Sequence, residues 1–273
     1  MQARRRAAAV GATVTPKNLP ANPVLSALRT DHAGVALHHG EAYSYPPHLG
    51  PFAALRHDHP PAWADLAHLV DAALIERTGD FEPVGWVSEG PFELTTMSAG
   101  RGDRASVPPV GPVRILGAEN TSEMQRLLEV CGIHTFASGS TAIAEYLGCY
   151  HDERLVAMAG LRFSLPGWRE ICCVATDPEF RGRGYARMLV DALVECAGFD
   201  GQNAFLFVET DNPARQMYRR FGFVEVCTRA AEYLTRTTDR SPTPSSPIHP
   251  SPTHPSPPHR SPTHPSPTHG GTE

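Results

Sequence analysis

The sequence predicts an α/β chain of the mixed (α+β) kind: a mostly antiparallel central sheet flanked by helices, preceded by a smaller α/β portion. Three observations carry this. Apolar segments at 143–150, 155–163 and 169–176 are separated by the polar turn His151-Asp152-Glu153-Arg154 and by Leu165-Pro166-Gly167, the mark of an antiparallel meander. A glycine-rich turn, Arg181-Gly182-Arg183-Gly184, then leads from the third segment into an amphipathic one. Finally, the run 204–209 is almost wholly apolar, as in a central strand covered on both faces.

Taken in order, residues 1–20 read as a disordered N-terminus and 21–99 as a divergent N-terminal unit. Within that unit the spacing of Trp63, Leu66, Leu69, Val70, Ala73 and Leu74 predicts a helix over 62–77. Gly100, Gly102, Pro108, Pro109, Gly111 and Pro112 mark 100–112 as a linker. Residues 113–235 hold the densest patterns. A strand at 113–116 is followed by a helix at 122–131, where Ser122 and Gln125 are spaced as a capping box. The meander, the glycine turn, a helix at 185–197 and the strand at 204–209 come next. Asn212-Pro213 opens a helix to Arg220, Phe221-Gly222-Phe223 ends it, and 224–233 supplies one or two last strands.

Residues 236–273 read as a disordered tail. It repeats a five-residue unit such as Ser251-Pro252-Thr253-His254-Pro255, with His249, His254, His259, His264 and His269 in step. Proline this frequent favours extended polyproline II, and nothing apolar is present to offset the ordering entropy. A solvated tail is the plain reading; a Pro-rich ligand for a partner, or weak transition-metal binding by histidine, is the functional alternative.

The net charge of −5 and a single lysine, Lys17, exclude a basic nucleic-acid surface. Arg4-Arg5-Arg6 lies in a small-residue stretch and reads as a solvated end rather than a targeting or phosphate-binding run. No apolar stretch approaches the ~20 residues that span a bilayer, and no secretion-signal core is present, so a cytoplasmic protein without membrane contact is expected. Cys131, Cys149, Cys172, Cys173, Cys196 and Cys227 form no Cys-x-x-Cys pair and no zinc-like spacing with histidine. Reduced, mostly buried thiols and no metal are therefore expected. Cys172 and Cys173 are adjacent on a strand, which predicts side chains on opposite faces.

Glycines where a strand turns into a helix let backbone N–H groups converge on an anion, and the helix adds the positive end of its dipole. Such a turn is a pyrophosphate seat. The run Thr176-Asp177-Pro178-Glu179-Phe180-Arg181-Gly182-Arg183-Gly184-Tyr185-Ala186, with its Arg-x-x-Gly-x-Ala core, resembles the acetyl-CoA loop of the GNAT superfamily of N-acyltransferases. Asn212-Pro213-Ala214-Arg215-Gln216-Met217-Tyr218 resembles that family's Asn-x-x-Ala-x-x-x-Tyr helix with the first interval shortened by one, and Phe221-Gly222-Phe223 resembles its following Gly-Phe. The resemblance spans about 113–235. The segments 155–160 and 166–171 further resemble a bacterial subfamily of two-part chains with a degenerate GNAT-like half in front, a place that 21–99 would fill without chemistry of its own.

The resemblance implies a GNAT-type sheet, acetyl-CoA as co-substrate, an amine acceptor and direct transfer in a ternary complex. Backbone N–H groups of Arg183, Gly184, Tyr185 and Ala186 would hold the pyrophosphate, with Gly182 and Gly184 bending the chain and Asn212 completing the cofactor-binding set. Arg181 or Arg183 either adds charge or is solvated. The strand before the loop would splay from its neighbour, so that backbone groups of Val174, Ala175 and Thr176 meet the pantetheine arm and the developing oxyanion. Glu170 is the expected base, with Glu209, Glu145 or a water chain as alternatives, and pairing with Arg169 or Arg162 as its structural role. Tyr218 is the expected acid for the departing thiolate, or else packs against Phe221.

Trp168 is read as acceptor pocket, core or lid, and His134 and His151 as surface residues. A covalent acyl-enzyme at Cys172 or Cys173 would be unusual for such chemistry. The rival reading is a non-catalytic acyl-CoA-binding scaffold with a Pro-rich interaction tail. The net acidity of 113–235 favours a cationic amine; nucleic acid and membrane are not expected as partners, and a homodimer is left open.

Overall fold

The computed structural model describes residues 18–99 and 111–237. The expectations for most of 1–20, for most of the 100–112 linker and for nearly all of the 236–273 tail lie outside the described residues. The first part holds α1 (Pro23–Arg29), β1 (Leu37–His39), β2 (Ala42–Ser44), β3 (Ala53–Leu55), α2 (Pro60–Leu66), β4 (Ala72–Glu76) and β5 (Trp86–Ala99). The second holds β6 (Val113–Leu116), α3 (Thr121–Val130), β7 (Glu145–His151), β8 (Arg154–Leu165), β9 (Trp168–Thr176), α4 (Tyr185–Phe199), β10 (Asn203–Glu209), α5 (Ala214–Arg220) and β11 (Val224–Arg236).

Local chemistry explains most of these boundaries. Asn22 caps α1 by accepting from the Leu25 N–H at 2.8 Å, with Pro23 at the first helical position. The β7–β8 turn places Asp152 and Glu153 at φ 45° and 63°, the left-handed pair that a tight hairpin needs. Gly167, at φ 80°, reverses the chain between β8 and β9.

β7, β8 and β9 form the predicted antiparallel meander, with β6 added at its outer edge, at one side of an eight-stranded sheet ordered β4-β11-β5-β10-β9-β8-β7-β6. β1, β2 and β3 make a separate three-stranded sheet. The large sheet is mostly antiparallel, with β9 and β10 parallel. It does not stop at the expected linker: β5, from the N-terminal part, lies between β10 and β11. The Thr95 hydroxyl meets those of Thr210 at 2.9 Å and Thr228 at 3.3 Å, bonding this inserted strand through side chains as well as backbone.

Two predicted elements are corrected. The helix predicted over 62–77 ends at Leu66, and 72–76 instead form β4, which pairs antiparallel with β11 through Ala73↔Leu234 and Ile75↔Glu232. Ala73, Leu74 and Ile75 are all buried, and a run apolar on both faces suits a covered strand as well as a helix. The predicted capping box also fails. α3 starts at Thr121, so Ser122 lies inside the helix, and Asn120 instead accepts from the Gly117 N–H at 3.1 Å.

One face of the large sheet is covered by α4 and α5, packed on Val156, Ala159, Leu161, Ile171, Leu206 and Val208. The other is covered by α1, the small sheet and α3. Among the described residues no helix is long and apolar enough to cross a membrane.

Candidate active site

The sheet opens between β9 and β10. Their parallel pairing runs from Asn203↔Trp168 to Phe205↔Glu170, while β9 continues to Thr176 and β10 to Glu209. The expected splay is therefore present, and the stretch from Ile171 to Thr176 has strand neighbours on the β8 side alone.

A bulge reshapes the same stretch. Met158 pairs with Ala175 and Gly160 with Cys172, so β9 carries one more residue than β8 across this interval. Cys173 sits at φ 52°, left-handed and sterically uncommon outside glycine. This breaks the strand's alternation. Cys172 and Cys173 do not face opposite ways but are buried in one cluster with Ala175, Met158 and Tyr146, against α3. Tyr146 fits there because residue 160 is glycine: a Cβ at Gly160 would lie 2.4 Å from the Tyr146 ring.

β9 leads directly into the glycine turn. Asp177 accepts from the Glu179 N–H at 3.0 Å, forming a 3-10 turn over Pro178–Phe180, and Arg154 ion-pairs with Asp177. Gly182 and Gly184 follow at φ 77° and 89°, values that glycine alone adopts freely. A Cβ at Gly182 would meet no atom within 4 Å, so the turn borders open space. Gly184 is the N-cap of α4 without a side-chain bond, and the first turn of α4 carries no acidic residue. Helix geometry leaves the N–H groups of that turn without intrahelical acceptors.

The nearby arginines are turned toward backbone. Arg181 donates to the Thr176 carbonyl at 3.2 Å and Arg183 to the Glu179 carbonyl at 3.2 Å, and both remain exposed. The Thr176 hydroxyl is buried without a hydrogen-bond partner among the described residues, at the junction of open strand and loop. An unpaired buried hydroxyl, with orphan amides beside a glycine turn that borders open space, fits a phosphate-bearing ligand with a polar arm.

The catalytic candidates fall on two faces. Tyr218 of α5 is buried with Leu206 and Val208 on the α4/α5 side, its ring edge-on to Phe221 and Phe223 at 6.2 and 5.9 Å. Burial, then the neighbouring Cys172 and Cys173, push its phenol above the ordinary value, so it stays protonated at neutral pH.

Glu170 lies on the other face, 2 % exposed. Its two oxygens accept from Arg162 Nε at 2.9 Å and Nη2 at 2.8 Å, and that guanidinium also donates to the Thr135 carbonyl and lies 4.0 Å from the Phe52 ring centre. A carboxylate gripped bidentately by a buried guanidinium has both oxygens engaged.

Glu209 ends β10 opposite Leu94 and so shares the Glu170 face. Partial burial, then Asp211, raise its pKa. Glu145 is exposed and pairs with Arg169 at 3.2 Å.

The remaining candidates have structural surroundings. Asn212 accepts from the Ala214 N–H at 2.9 Å, holding the start of α5. Trp168 is core, packed with Phe163 and Phe205. His151 rests against the Phe180 ring at 5.1 Å, and His134 is half-buried. A hollow of about 410 Å³ lies at the Trp168 end of β9, bordered by Asp31, His32, Thr141, Ile143, Glu145 and Arg169, and thus away from the glycine turn. Sequence reasoning missed Tyr146 and Phe52 as parts of the Glu170 face; no local pattern marks either.

Residues 118–223 match the acetyltransferase (GNAT) family. Over 88 residues the chain is 33% identical to a mycothiol acetyltransferase of Mycobacteroides abscessus, a match covering 30% of each protein. Over 92 residues it is 36% identical to an uncharacterized Mycobacterium leprae protein, covering 32% of this chain and 25% of that one. The match thus spans less than a third of either curated relative. A crystal structure of a GNAT-family acetyltransferase from Novosphingobium aromaticivorans aligns with a TM-score of 0.71 and 28% identity, covering 79% of this chain and 97% of that one. A GCN5-related N-acetyltransferase from Kribbella flavida shares the fold at a TM-score of 0.52 and 15% identity, over 78% and 96% of the two chains.

Proposed function

With residues 118–223 belonging to the acetyltransferase (GNAT) family, we propose that this protein transfers an acetyl group from acetyl-CoA to an amine by direct attack in a ternary complex. The observation that carries it is the open edge of β9 from Ile171 to Thr176, running without interruption into a glycine turn capped by left-handed Gly184. The relative called a mycothiol acetyltransferase supports the class of reaction. The acceptor is assigned only as an amine.

Acetyl-CoA supplies the activated thioester; the chain supplies position and protons. Amides of Arg183, Gly184, Tyr185 and Ala186 would take the pyrophosphate, and their dipoles at the α4 N-terminus replace the lysine that this region lacks. Backbone groups of Val174, Ala175 and Thr176 would align the pantetheine arm and face the developing oxyanion. Arg181 and Arg183 add charge at the rim of the loop.

The two-faced arrangement supports a division of the proton steps. Tyr218, buried and protonated on the α4/α5 face, delivers a proton to the departing thiolate. The acceptor ammonium loses its proton on the opposite face. Glu170 is poorly suited to take it while Arg162 engages both its oxygens; we assign it and Arg162 to shaping that face. Glu209, whose raised pKa suits the task and whose carboxylate pairs with no arginine among the described residues, is the proposed base, directly or through water. The N-terminal part contributes Phe52 beneath Arg162, so we assign 21–99 to building the acceptor face.

A thiol-release assay with acetyl-CoA against an amine panel tests this. Amine-dependent release of coenzyme A is the expected result. Tight acetyl-CoA binding without turnover of any amine would favour the scaffold reading, and no binding at millimolar concentration would remove both.

A further inference from the structure

We propose that Glu41, His57 and His59 form a zinc site on the N-terminal part of the molecule, separate from the acetyl-transfer site. One carboxylate oxygen, Glu41 Oε2, lies 3.0 Å from His57 Nδ1 and 2.8 Å from His59 Nε2. The three ligand atoms all lie within 4.8 Å of one another. Two imidazoles and one carboxylate are a donor set suited to Zn²⁺, leaving a fourth position for water. Bonds of about 2.0–2.1 Å in a tetrahedron put neighbouring ligand atoms about 3.3 Å apart. Glu41 and each imidazole therefore need to part by only about 0.3–0.5 Å, and all three side chains reach solvent.

The backbone carrying these ligands is held in advance. Asp58, between the two histidines, accepts from Trp63 Nε1 at 2.7 Å, Arg77 Nε at 2.9 Å, Thr78 N at 2.9 Å and Gly79 N at 2.8 Å. His59 is followed by Pro60-Pro61 at the start of α2, which removes backbone freedom. Across from them, the Glu41 amide donates to Asp65 Oδ2 at 2.8 Å and its carbonyl accepts from the Arg56 amide at 3.0 Å. Gly40 permits this approach: a Cβ there would stand 2.0 Å from Asp65 Oδ2. Both ligand-bearing segments are thus fixed by groups that are not ligands, the preorganisation that separates a binding site from a chance surface cluster. Arg56 is the nearby cation, and its guanidinium is directed to the Tyr43 hydroxyl at 3.1 Å.

The test uses the full chain stripped with a chelator and titrated with Zn²⁺ alone, by competition against a chromophoric chelator. Co²⁺ gives a visible spectrum as a second readout. The histidines of the tail are left intact, so their weaker binding is a constant background. One site tighter than that background is expected. Glu41→Gln, His57→Ala and His59→Ala should each weaken it by about 10–100-fold, abolish the tetrahedral Co²⁺ bands, and leave the metal-free melting temperature unchanged. A zinc-induced rise in melting temperature should appear in the wild type and vanish in the variants. The proposal is overturned if the wild type shows only background binding, or if the tight site survives all three substitutions. Acetyl transfer enters none of these readouts, so the zinc site and the proposed activity stand or fall separately.

Discussion

The two halves of β9 belong to one continuous strand and have opposite fates. From Trp168 to Glu170 the strand is paired on both sides, and its buried Glu170 carboxylate is bonded bidentately to Arg162. From Ile171 to Thr176 it is bulged, leaves β10, and ends on a Thr176 hydroxyl without a partner among the described residues. A backbone whose donors and acceptors are all taken can only be scaffold. One whose edge is left open needs a partner from outside the chain. The closed half keeps the sheet from separating further, and the open half is where a thioester arm can add itself as a surrogate strand.

That contrast is broken most forcefully at Glu170. If the pair with Arg162 is scaffold, Glu170→Gln leaves a buried guanidinium without its counter-charge and should cost about 3–5 kcal/mol of stability. In a protein of this size that is a drop of about 6–20 °C in melting temperature. A base would behave differently: activity would fall while the melting curve stayed in place. Calorimetry and turnover on one preparation separate the two. Next in size is the open half. Tyr218→Phe should lower kcat about 100-fold, with acetyl-CoA affinity and melting temperature little changed. An unaltered kcat would mean that the thiolate leaves without a protein acid.

These residues also show what could be read before the structure. The meander, the glycine turn and the helix bearing Tyr218 were legible because their signals are local: turn chemistry at 151–154 and 165–167, and periodicity in 185–197. Residues 72–76 were not, because the spacing of Ala73 and Leu74 suits helix and strand alike, and pairing with β11 decides between them. The insertion of β5 between β10 and β11 is a choice among distant edges that nothing near residues 86–99 announces. The Arg162–Glu170 pair was open only in part to hairpin arithmetic: the turn at Pro166-Gly167 alone would put 163 opposite 170, and a bulge between Leu161 and Ser164 slips the register so that 161 lies opposite 171. The bulge at Cys173 was not, and it overturned the expected alternation of two cysteines. Glu41, His57 and His59 meet only because β2 pairs with β3, which places 41 beside 56.

A smaller effect probes the far side of the opening. A base works only when deprotonated, so kcat/KM should rise with pH along a limb set by Glu209. That limb should lie above the ordinary carboxylate range, because partial burial and then Asp211 raise this group. Glu209→Gln should erase the limb and lower the plateau by about tenfold; the loss is modest for general-base removal because solvent reaches the position. Asp211→Asn should shift the limb to lower pH by removing one of its two causes. A limb unmoved by both variants would transfer the role to ordered water or to Glu145.

The smallest expected effect concerns Asn212, where scaffold and ligand roles predict different observables. Its side-chain oxygen already accepts from the Ala214 amide, so it braces the turn through Pro213 that starts the helix carrying Tyr218, in the manner of a cap. Asn212→Ala should cost about 1 kcal/mol, visible as a small drop in melting temperature, with KM for acetyl-CoA nearly constant. Asn212→Asp keeps the acceptor oxygen and should restore the lost stability. If Asn212 instead touches the cofactor, the pattern inverts: KM rises in both variants, because the carboxylate would face a ligand of like charge, and neither melting curve moves. The Asp variant thus separates a helix cap from a cofactor contact, since one role needs only an oxygen and the other cannot tolerate its charge.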